Sequence, residues 1–531
     1  MTATTTTPWS YFCIRLFLKL VLKIFYGNIV VENTHLIPGD NALSSILCAN
    51  HDNSITDASV LLTSVPLEAR LIQRRSLLRM TAKSTHFGKK SFVGWLIEAT
   101  GAVPVKRRVD FPGAPVDNTD TMIKLIEALE DGEIIGFFPE GVSRYSPALA
   151  PLKSGVSRIV SQVLSRNRDK PDFEVSILPC SITYMRRQHF RSDVLVSFQP
   201  PIKFRPKYNP ELLEPVDFEC ICKLTGIIHE RISAGTLHAP SWKTLRSAKT
   251  AAQIYAPLGT TISLGDHVRM VKTFLEAFKD AGSHKNVKIP VNTNSSRIMR
   301  LEDALEEYQD QLSRWHIKDE CIHIPLSLRA ILCKMTLSLI WTVLLLTLCL
   351  PGVVLWAPVF ISTGLGARWY KTTGPMSETE VRIAHTKQLL GFFSLSSVLP
   401  IAMACTCFYS PAAAMFVPLV MWVTLRWLED SMASARIFIA FACLLWIGPA
   451  ELHRMTLVRE SLHHRVMDYA ENSLGLPADP ARHFADSVVK EMVRTRGSWM
   501  SKLHYSIGAR RKKSWNESLR FDEKVDYTED D

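Results

Sequence analysis

Two long stretches without a charged residue, Met335 to Ala367 and Gln388 to Leu425, constrain this chain more than any other feature. Each exceeds the roughly 20 apolar residues an α-helix needs to cross the hydrocarbon core of a bilayer, where every backbone N–H and C=O has to be satisfied inside the helix. Both therefore read as membrane segments. Pro351-Gly352 and Pro358 interrupt the first, and Pro400, Pro411 and Pro418 the second, so each is one kinked span or a two-helix hairpin. A third apolar run, Ile437 to Ala450, is short for an unaided span and reads as interfacial or re-entrant. Basic residues flank the region, and the tail carries Arg510-Arg511-Lys512-Lys513. The positive-inside bias then puts the N-terminal part and the tail on the cytosolic side, which demands an even number of crossings.

Charge narrows the partners. Lys plus Arg number 62 against 51 Asp plus Glu, a formal charge of +11 over 531 residues. That balance suits an anionic membrane face, a phosphorylated substrate or nucleic acid. The basic residues are scattered, with neither zinc-finger spacing nor an aromatic-and-basic RNA-binding box, which argues against nucleic acid. Several of the eleven cysteines lie inside apolar runs (Cys333, Cys349, Cys405, Cys407, Cys443), so they read as small hydrophobes in a reducing compartment. Cys220 and Cys222, two apart on a helical stretch, point to different faces, and no metal site is expected. Met1 to Thr7 lacks the basic start of a secretory signal, and nothing suggests export.

Trp9 to Val31 is apolar but carries Arg15, Lys19 and Lys23 on one helical stripe. Such a helix lies in the membrane interface with its lysines at the headgroups, or packs on the following domain by its apolar face. From Ala42 to Phe198, β-prone runs at Ala42–Ala49, Ala102–Lys106, Ile134–Phe138, Val175–Ile182 and Val194–Phe198 alternate with helical periods. Met122, Leu125, Ile126 and Leu129 form one such period, and Val156, Ile159, Val160 and Val163 another. That alternation argues for an α/β domain with a largely buried sheet. Asn209 to Leu326 is helical and charged, as at Phe218–Ala234 and Arg300–Trp315, with a polar linker at Asn292–Ser296; Val525 to Asp531 is an acidic, solvated end.

Four short stretches carry chemistry. His51 and Asp57 follow the first candidate strand, and a histidine with a nearby carboxylate can act as a general base, the carboxylate fixing the ring tautomer. The same residues also read as a loop histidine with an unrelated acidic neighbour. Gly101-Ala102-Val103-Pro104-Val105-Lys106-Arg107-Arg108 closes a strand on three cations able to hold a phosphate. Phe138-Pro139-Glu140-Gly141-Val142-Ser143-Arg144 puts a carboxylate, a glycine, a hydroxyl and a guanidinium at a strand end, and Leu178-Pro179 lies in a further strand.

In this order the stretches resemble the glycerolipid acyltransferase superfamily, whose blocks are a His–Asp motif, G-x-[IV]-[PF]-[IV]-x-R, F-P-E-G-x-S and a [VI]-P strand. Ala82-Lys83-Ser84, Val93-Gly94-Trp95, Tyr184 with Phe190-Arg191-Ser192, Leu350-Pro351-Gly352 and Ala357-Pro358 resemble its fungal glycerol-3-phosphate and dihydroxyacetone-phosphate acyltransferase branch. His189 falls one place later than that branch's histidine. A second departure is that five residues separate His51 from Asp57, where most of the superfamily has four. Neither spacing brings both side chains to one face of a helix, so a loop must close the pair and can absorb one more residue. Asp52 is the rival partner, but adjacent side chains diverge on an extended backbone, which favours Asp57.

The resemblance implies an α/β acyltransferase domain, a mixed sheet flanked by helices, at 36–208. An interfacial helix at 1–35 precedes it. A helical extension at 209–330, a C-terminal α-helical transmembrane region at 331–450 and a cytosolic tail at 451–531 follow. It implies a multi-pass protein of the endoplasmic reticulum membrane, its catalytic domain facing the cytosol, that transfers an acyl group from acyl-CoA to the sn-1 hydroxyl of glycerol-3-phosphate or to dihydroxyacetone phosphate. Acylation of lysophosphatidic acid, or a non-catalytic membrane scaffold, is the alternative. His51 is then the base and Asp57 its partner. Lys106, Arg107 and Arg108, with Glu140, Gly141, Ser143 and Arg144 of the F-P-E-G turn, bind and organise the phosphorylated acceptor, Gly141 through its N–H, and Lys153, in Pro151-Leu152-Lys153-Ser154-Gly155, is a further phosphate or CoA contact. No cofactor beyond the substrate acyl-CoA and no metal is expected, and the lipid bilayer is the remaining partner.

Overall fold

The computed structural model describes residues 9–37, 44–65, 78–113, 115–144, 146–187, 190–256, 262–283, 293–315, 317, 319, 322, 328–371 and 376–484. Met1 to Thr7, His189, residue 292, the Arg510-Arg511-Lys512-Lys513 cluster and the acidic end from Val525 lie outside the described residues. The chain divides into two compact units, Met1–His238 with Leu365–Leu389, and Ala239–Gly364 with Leu390–Asp531.

The first unit is built on an eight-stranded mixed sheet, in the order β1-β7-β6-β2-β5-β3-β4 with β8 on β6. Its strands are β1 (Ile29–Glu32), β2 (Ser45–Ala49), β3 (Leu78–Lys83), β4 (Val103–Val105), β5 (Ile134–Phe137), β6 (Val175–Tyr184), β7 (Val194–Phe198) and β8 (Ile202–Phe204). The central β2 runs parallel to both β5 and β6. Both of its faces are covered. Leu47 and Ala49 point into a core shared with helices α1 (Trp9–Phe25), α2 (Ile55–Ser64) and α3 (Phe92–Ala99). Ile46 and Cys48 point into a second core with α4 (Thr119–Glu130), α5 (Gly155–Arg166) and α6 (Phe218–Gly235). This is the period-2 alternation of a strand buried on both sides, and it explains why Ile46–Ala49 is apolar throughout.

All five strands expected from the sequence are present, and β1, β3 and β8 are additional. β1 lies within the run that reads as one helix. The helix stops at Phe25 because Gly27 passes close to β7's lead-in, where an added Cβ would sit 2.7 Å from the Arg191 carbonyl oxygen. The Arg191 guanidinium donates to the carbonyls of Lys23 (2.9 Å) and Tyr26 (2.7 Å), capping the helix end, and the chain leaves to pair with Val194–Ser197. α1 buries Tyr11, Ile14, Leu18, Leu22 and Phe25 at helical spacing in the core. Arg15, on the same stripe as Lys19 and Lys23, donates to the carbonyls of Thr63 and Val65 at the end of α2.

The second unit contains α7 (Trp242–Tyr255), α8 (Leu264–Ser283) and α9 (Thr293–Arg314), so Thr293–Ser296, expected in a linker, form the first turn of a helix. α6, which the sequence reading puts in the helical extension, belongs to the first unit. Residues 451–484, read as tail, largely continue a helix, Pro449–Asn472, that buries Met455, Arg459, Leu462, Val466 and Ala470. A buried fork from Arg459 to Asp319 (2.7 and 3.0 Å), joined by the Tyr308 hydroxyl at 2.6 Å, fixes it in place.

Among the described residues, three helices are long and apolar enough to cross a membrane: Leu328–Trp369, His385–Cys407 and Val417–Ile447. Pro351, Pro358 and Pro400 lie inside continuous helices, so the first uncharged stretch is no hairpin. The second stretch is divided between two helices, and the apolar run from Ile437 completes the third. Three full crossings would be an odd number, at odds with the even count the charge bias demands.

Candidate active site

β6 is longer than β2 and runs on past Ala49, whose partner is Cys180. The next residue, Asn50, continues the ladder with its side chain, accepting from the Ile182 N–H at 2.8 Å and donating to the Ile182 carbonyl at 2.9 Å. The chain then turns sharply through His51 to Ser54. Ser54 has φ 52° and ψ −131°, a conformation that costs a non-glycine residue free energy. Two hydrogen bonds from the F-P-E-G turn hold this loop: His51 N–H to Glu140 Oε1 at 2.6 Å and Ser54 N–H to Ser143 Oγ at 3.0 Å. The additional residue between His51 and Asp57 is thus taken up in a bend fastened at both sides, and α2 begins immediately after it.

The bend brings His51 and Asp57 together, with Nδ1 to Oδ2 at 2.9 Å. Asp57 is fully buried, and an ionised carboxylate there has to be compensated. Besides the imidazole, the Asn53 N–H donates to Oδ2 at 2.7 Å and the Tyr184 hydroxyl to Oδ1 at 2.6 Å. The imidazole stacks on Phe138, with centroids 4.2 Å apart and 13° between the planes, and keeps 19% of its surface open. With Nδ1 held by the carboxylate, Nε2 is the nitrogen free to take a proton. Asp52 is directed elsewhere: it accepts from Asn50 Nδ2 at 2.7 Å and lies 4.0 Å from Arg187. Burial, opposed by the Arg187 charge, raises its pKa.

Beside the dyad lie the cations. Arg107 forks onto Asp110 (2.8 and 3.0 Å) and donates its remaining terminal nitrogen to the Gly141 carbonyl at 2.9 Å. Lys83, at the end of β3, reaches the same carboxylate at 2.9 Å. The Arg107 hydrogen bond, with Lys83 assisting, holds Asp110 below the usual carboxylate range. Lys106, Arg108, Arg144 and Lys153 have exposed side chains. The turn itself departs from expectation in two respects. The Gly141 N–H closes on the Phe138 carbonyl at 3.0 Å, with φ +77°, and so is engaged within the turn and not offered to an acceptor. Glu140 is buried and accepts from the main chains of His51 and Ala150 (3.2 Å), which makes it a fastening for the site. Burial, then the charge of Asp52, push its carboxyl up to about 7. Among the described residues, no group of three His, Cys, Asp or Glu is placed to hold a metal ion.

Sequence reasoning did not assign roles to Tyr184, Asn50, Asn53, Asp110 or Lys83. Lys83 and Tyr184 carried a signal, as members of stretches that resemble the fungal branch, but Asn50 is an ordinary polar residue whose partner Ile182 lies far along the chain, and Asp110 joins its near neighbour Arg107 to the distant Lys83.

Residues 28–183 match the Acyltransferase family. The first unit carries an acyltransferase domain. Residues 247–387 match a second family, the glycerol-3-phosphate acyltransferase 2 C-terminal domain. Glycerol-3-phosphate O-acyltransferase 2 of Saccharomyces cerevisiae is 28% identical over 253 residues, 46% of this chain and 32% of that protein. Glycerol-3-phosphate O-acyltransferase 1 of the same yeast is 25% identical over 256 residues, 47% of this chain and 31% of that one. The chain thus spans about a third of the length of these relatives. The resemblance to the glycerolipid acyltransferases and their fungal branch therefore holds. Among solved structures, a 1-acyl-sn-glycerophosphate acyltransferase from Thermotoga maritima aligns at 20% identity with a TM-score of 0.30, covering 42% of this chain and 78% of that one.

Proposed function

We propose that this chain transfers an acyl group from acyl-CoA to the sn-1 hydroxyl of glycerol-3-phosphate, giving lysophosphatidic acid, with dihydroxyacetone phosphate as a second acceptor. The observation that carries the reading is the 2.9 Å contact of His51 with a fully buried Asp57, joined through the F-P-E-G turn to Arg107. His51 Nε2 takes the proton of the acceptor hydroxyl as its oxygen attacks the thioester, and Asp57 stabilises the imidazolium that forms. The C–S bond breaks, CoA leaves as the thiol, and no covalent acyl-enzyme is needed. Lys83, Arg107, Arg108, Lys106, Arg144 and Lys153 supply the positive field for the acceptor phosphate, and the Arg107–Gly141 bond ties that field to the turn that holds His51. The reaction needs no cofactor beyond acyl-CoA. The names of the yeast relatives and the second family match support glycerol-3-phosphate over lysophosphatidic acid as acceptor.

A bilayer is the natural place for such chemistry, because the acyl donor and product are amphiphiles. The outward stripe of α1 is apolar, with Trp9 82%, Leu16 70% and Leu20 58% exposed, and the exposed Lys19 and Lys23 lie beside it. That face suits the membrane interface, its lysines among anionic headgroups. The third apolar helix carries Arg426, Glu429, Asp430 and Arg436 in its middle, and each charge costs about 2.5–3.5 kcal/mol at a bilayer centre. An interfacial course for this continuous helix leaves two crossings, which keeps both flanks on the cytosolic side of an endoplasmic reticulum membrane. The test of function is an acceptor panel with one acyl-CoA and the purified protein in liposomes. CoA release dependent on glycerol-3-phosphate is expected, and release with lysophosphatidic acid alone would overturn the assignment.

A further inference from the structure

The catalytic pair does not stabilise itself. Asp57 Oδ2 is occupied by the imidazole and the Asn53 N–H, so the charge on Oδ1 depends on the Tyr184 hydroxyl, 2.6 Å away. That tyrosine reaches it because β6 outruns β2. Asn50 locks onto the main chain of Ile182, and Tyr184, two residues further on, lies on the same side of the strand. Antiparallel pairing of Tyr184 with Val194 holds the strand end, and Tyr26 packs against the phenol ring at 5.9 Å. Tyr26 also accepts from the Asn53 side chain at 3.1 Å, so the pair of tyrosines braces both the carboxylate and the loop that carries it.

We propose that Tyr184 is a positioning residue for acyl transfer: its hydroxyl fixes the Asp57 carboxylate and thereby sets the basicity of His51. The inference rests on the reading of His51 and Asp57 as the base pair. With Oδ1 anchored, Oδ2 stays aimed at Nδ1, and part of the carboxylate charge is drawn toward the phenol. Burial, and the neighbouring Asp57 charge, raise the pKa of Tyr184 far above its ordinary value, so it remains a donor across the working range. Removing the donor does two things. The carboxylate is free to turn, which slows proton transfer, and its full charge falls on the imidazole, which favours the protonated ring and moves the acid limb of the pH–rate profile upward.

The test uses full-length protein in liposomes, with CoA release followed against pH for Tyr184→Phe and His51→Ala. Tyr184→Phe is expected to lower kcat by about ten- to a hundredfold, the loss of one hydrogen bond to a charged group. KM for glycerol-3-phosphate should stay within about threefold, and the acid limb of kcat/KM should move up by about half to one pH unit. A merely structural role would reduce the folded fraction and leave the limb in place. Should Tyr184→Phe fail to fold, 3-fluorotyrosine at position 184 preserves the shape and strengthens the donor, and the limb then moves down. A wild-type kcat and an unmoved limb in Tyr184→Phe, with His51→Ala inactive, overturns this inference alone. Turnover surviving in His51→Ala overturns the base assignment itself.

Discussion

Replacing Asp57 by Asn keeps the size of a fully buried side chain but removes the charge on which three donors converge, at 2.9, 2.7 and 2.6 Å. In one orientation the amide oxygen still accepts from His51 and Asn53 while its N–H2 faces the Tyr184 oxygen, which can accept. The fold survives, but the imidazolium formed during the reaction has no counter-charge. In the other orientation the N–H2 faces Nδ1 and forces the proton onto Nε2, and the ring can no longer act as a base. A hydrogen bond to a charged group contributes about 1.5–3 kcal/mol, and unit charges about 4 Å apart attract by about 4 kcal/mol at an effective dielectric near 20. Allowing for overlap between these, the barrier rises by about 3–5 kcal/mol, and kcat falls by about a hundred- to several thousandfold. The assay is thiol-detected CoA release from purified protein in liposomes, with thermal unfolding to verify the fold. Asp52→Asn is the comparator, since Asp52 meets Asn50 and Arg187 and not the imidazole. An Asp57→Asn enzyme within threefold of wild type, or an Asp52→Asn enzyme equally damaged, would refute the reasoning.

Other consequences follow from the same neighbourhood. Glu140 titrates near 7 in the folded chain against its ordinary 4.5, so between those values the folded state holds a proton that the unfolded state has lost. Stability should therefore fall by up to about 3 kcal/mol as pH rises through that window. Glu140→Gln should flatten the trend in denaturation measured from pH 5 to 8, and an unchanged slope would contradict the account. Arg107→Lys keeps the charge but loses the fork that joins Asp110 to Gly141, so KM for glycerol-3-phosphate should rise about tenfold or more while KM for acyl-CoA changes little. An equal rise in both would move the phosphate site elsewhere. Cysteines placed at Ser410 and Gly448 should react with a membrane-impermeant reagent from the same side if Val417–Ile447 lies in the interface; labelling from opposite sides would make it a crossing.

The central strand, the helical periods and the His–Asp pair were legible because they depend on local pattern: Ile46, Leu47 and Cys48 form a doubly buried strand, and Val156, Ile159, Val160 and Val163 one face of a helix. β1 was hidden because the apolar run that forms α1 continues into it, and only the close approach of Arg191 to Gly27 divides them. The roles of Glu140 and Gly141 were misread for a related reason. A carboxylate and a glycine at a strand end suggest a ligand site, whereas Glu140 fastens the main chain of His51, 89 positions away, and the Gly141 N–H closes locally on Phe138. Arg107 presented itself as a free cation although Asp110 lies only three residues on, because the turn that folds this carboxylate back onto Arg107 and the distant Lys83 has no local signature. The helix from Pro449 to Asn472 read as tail because its anchor, Arg459 on Asp319, pairs residues from opposite flanks of the membrane region.

Everything proposed for the chemistry passes through Nε2 of one imidazole. The most direct measurement is the turnover of His51→Ala protein, purified in liposomes and shown to be folded, with acyl-CoA and glycerol-3-phosphate. The account predicts CoA release at the level of uncatalysed hydrolysis while membrane insertion and thermal stability are retained. Release within tenfold of the wild-type rate would contradict it.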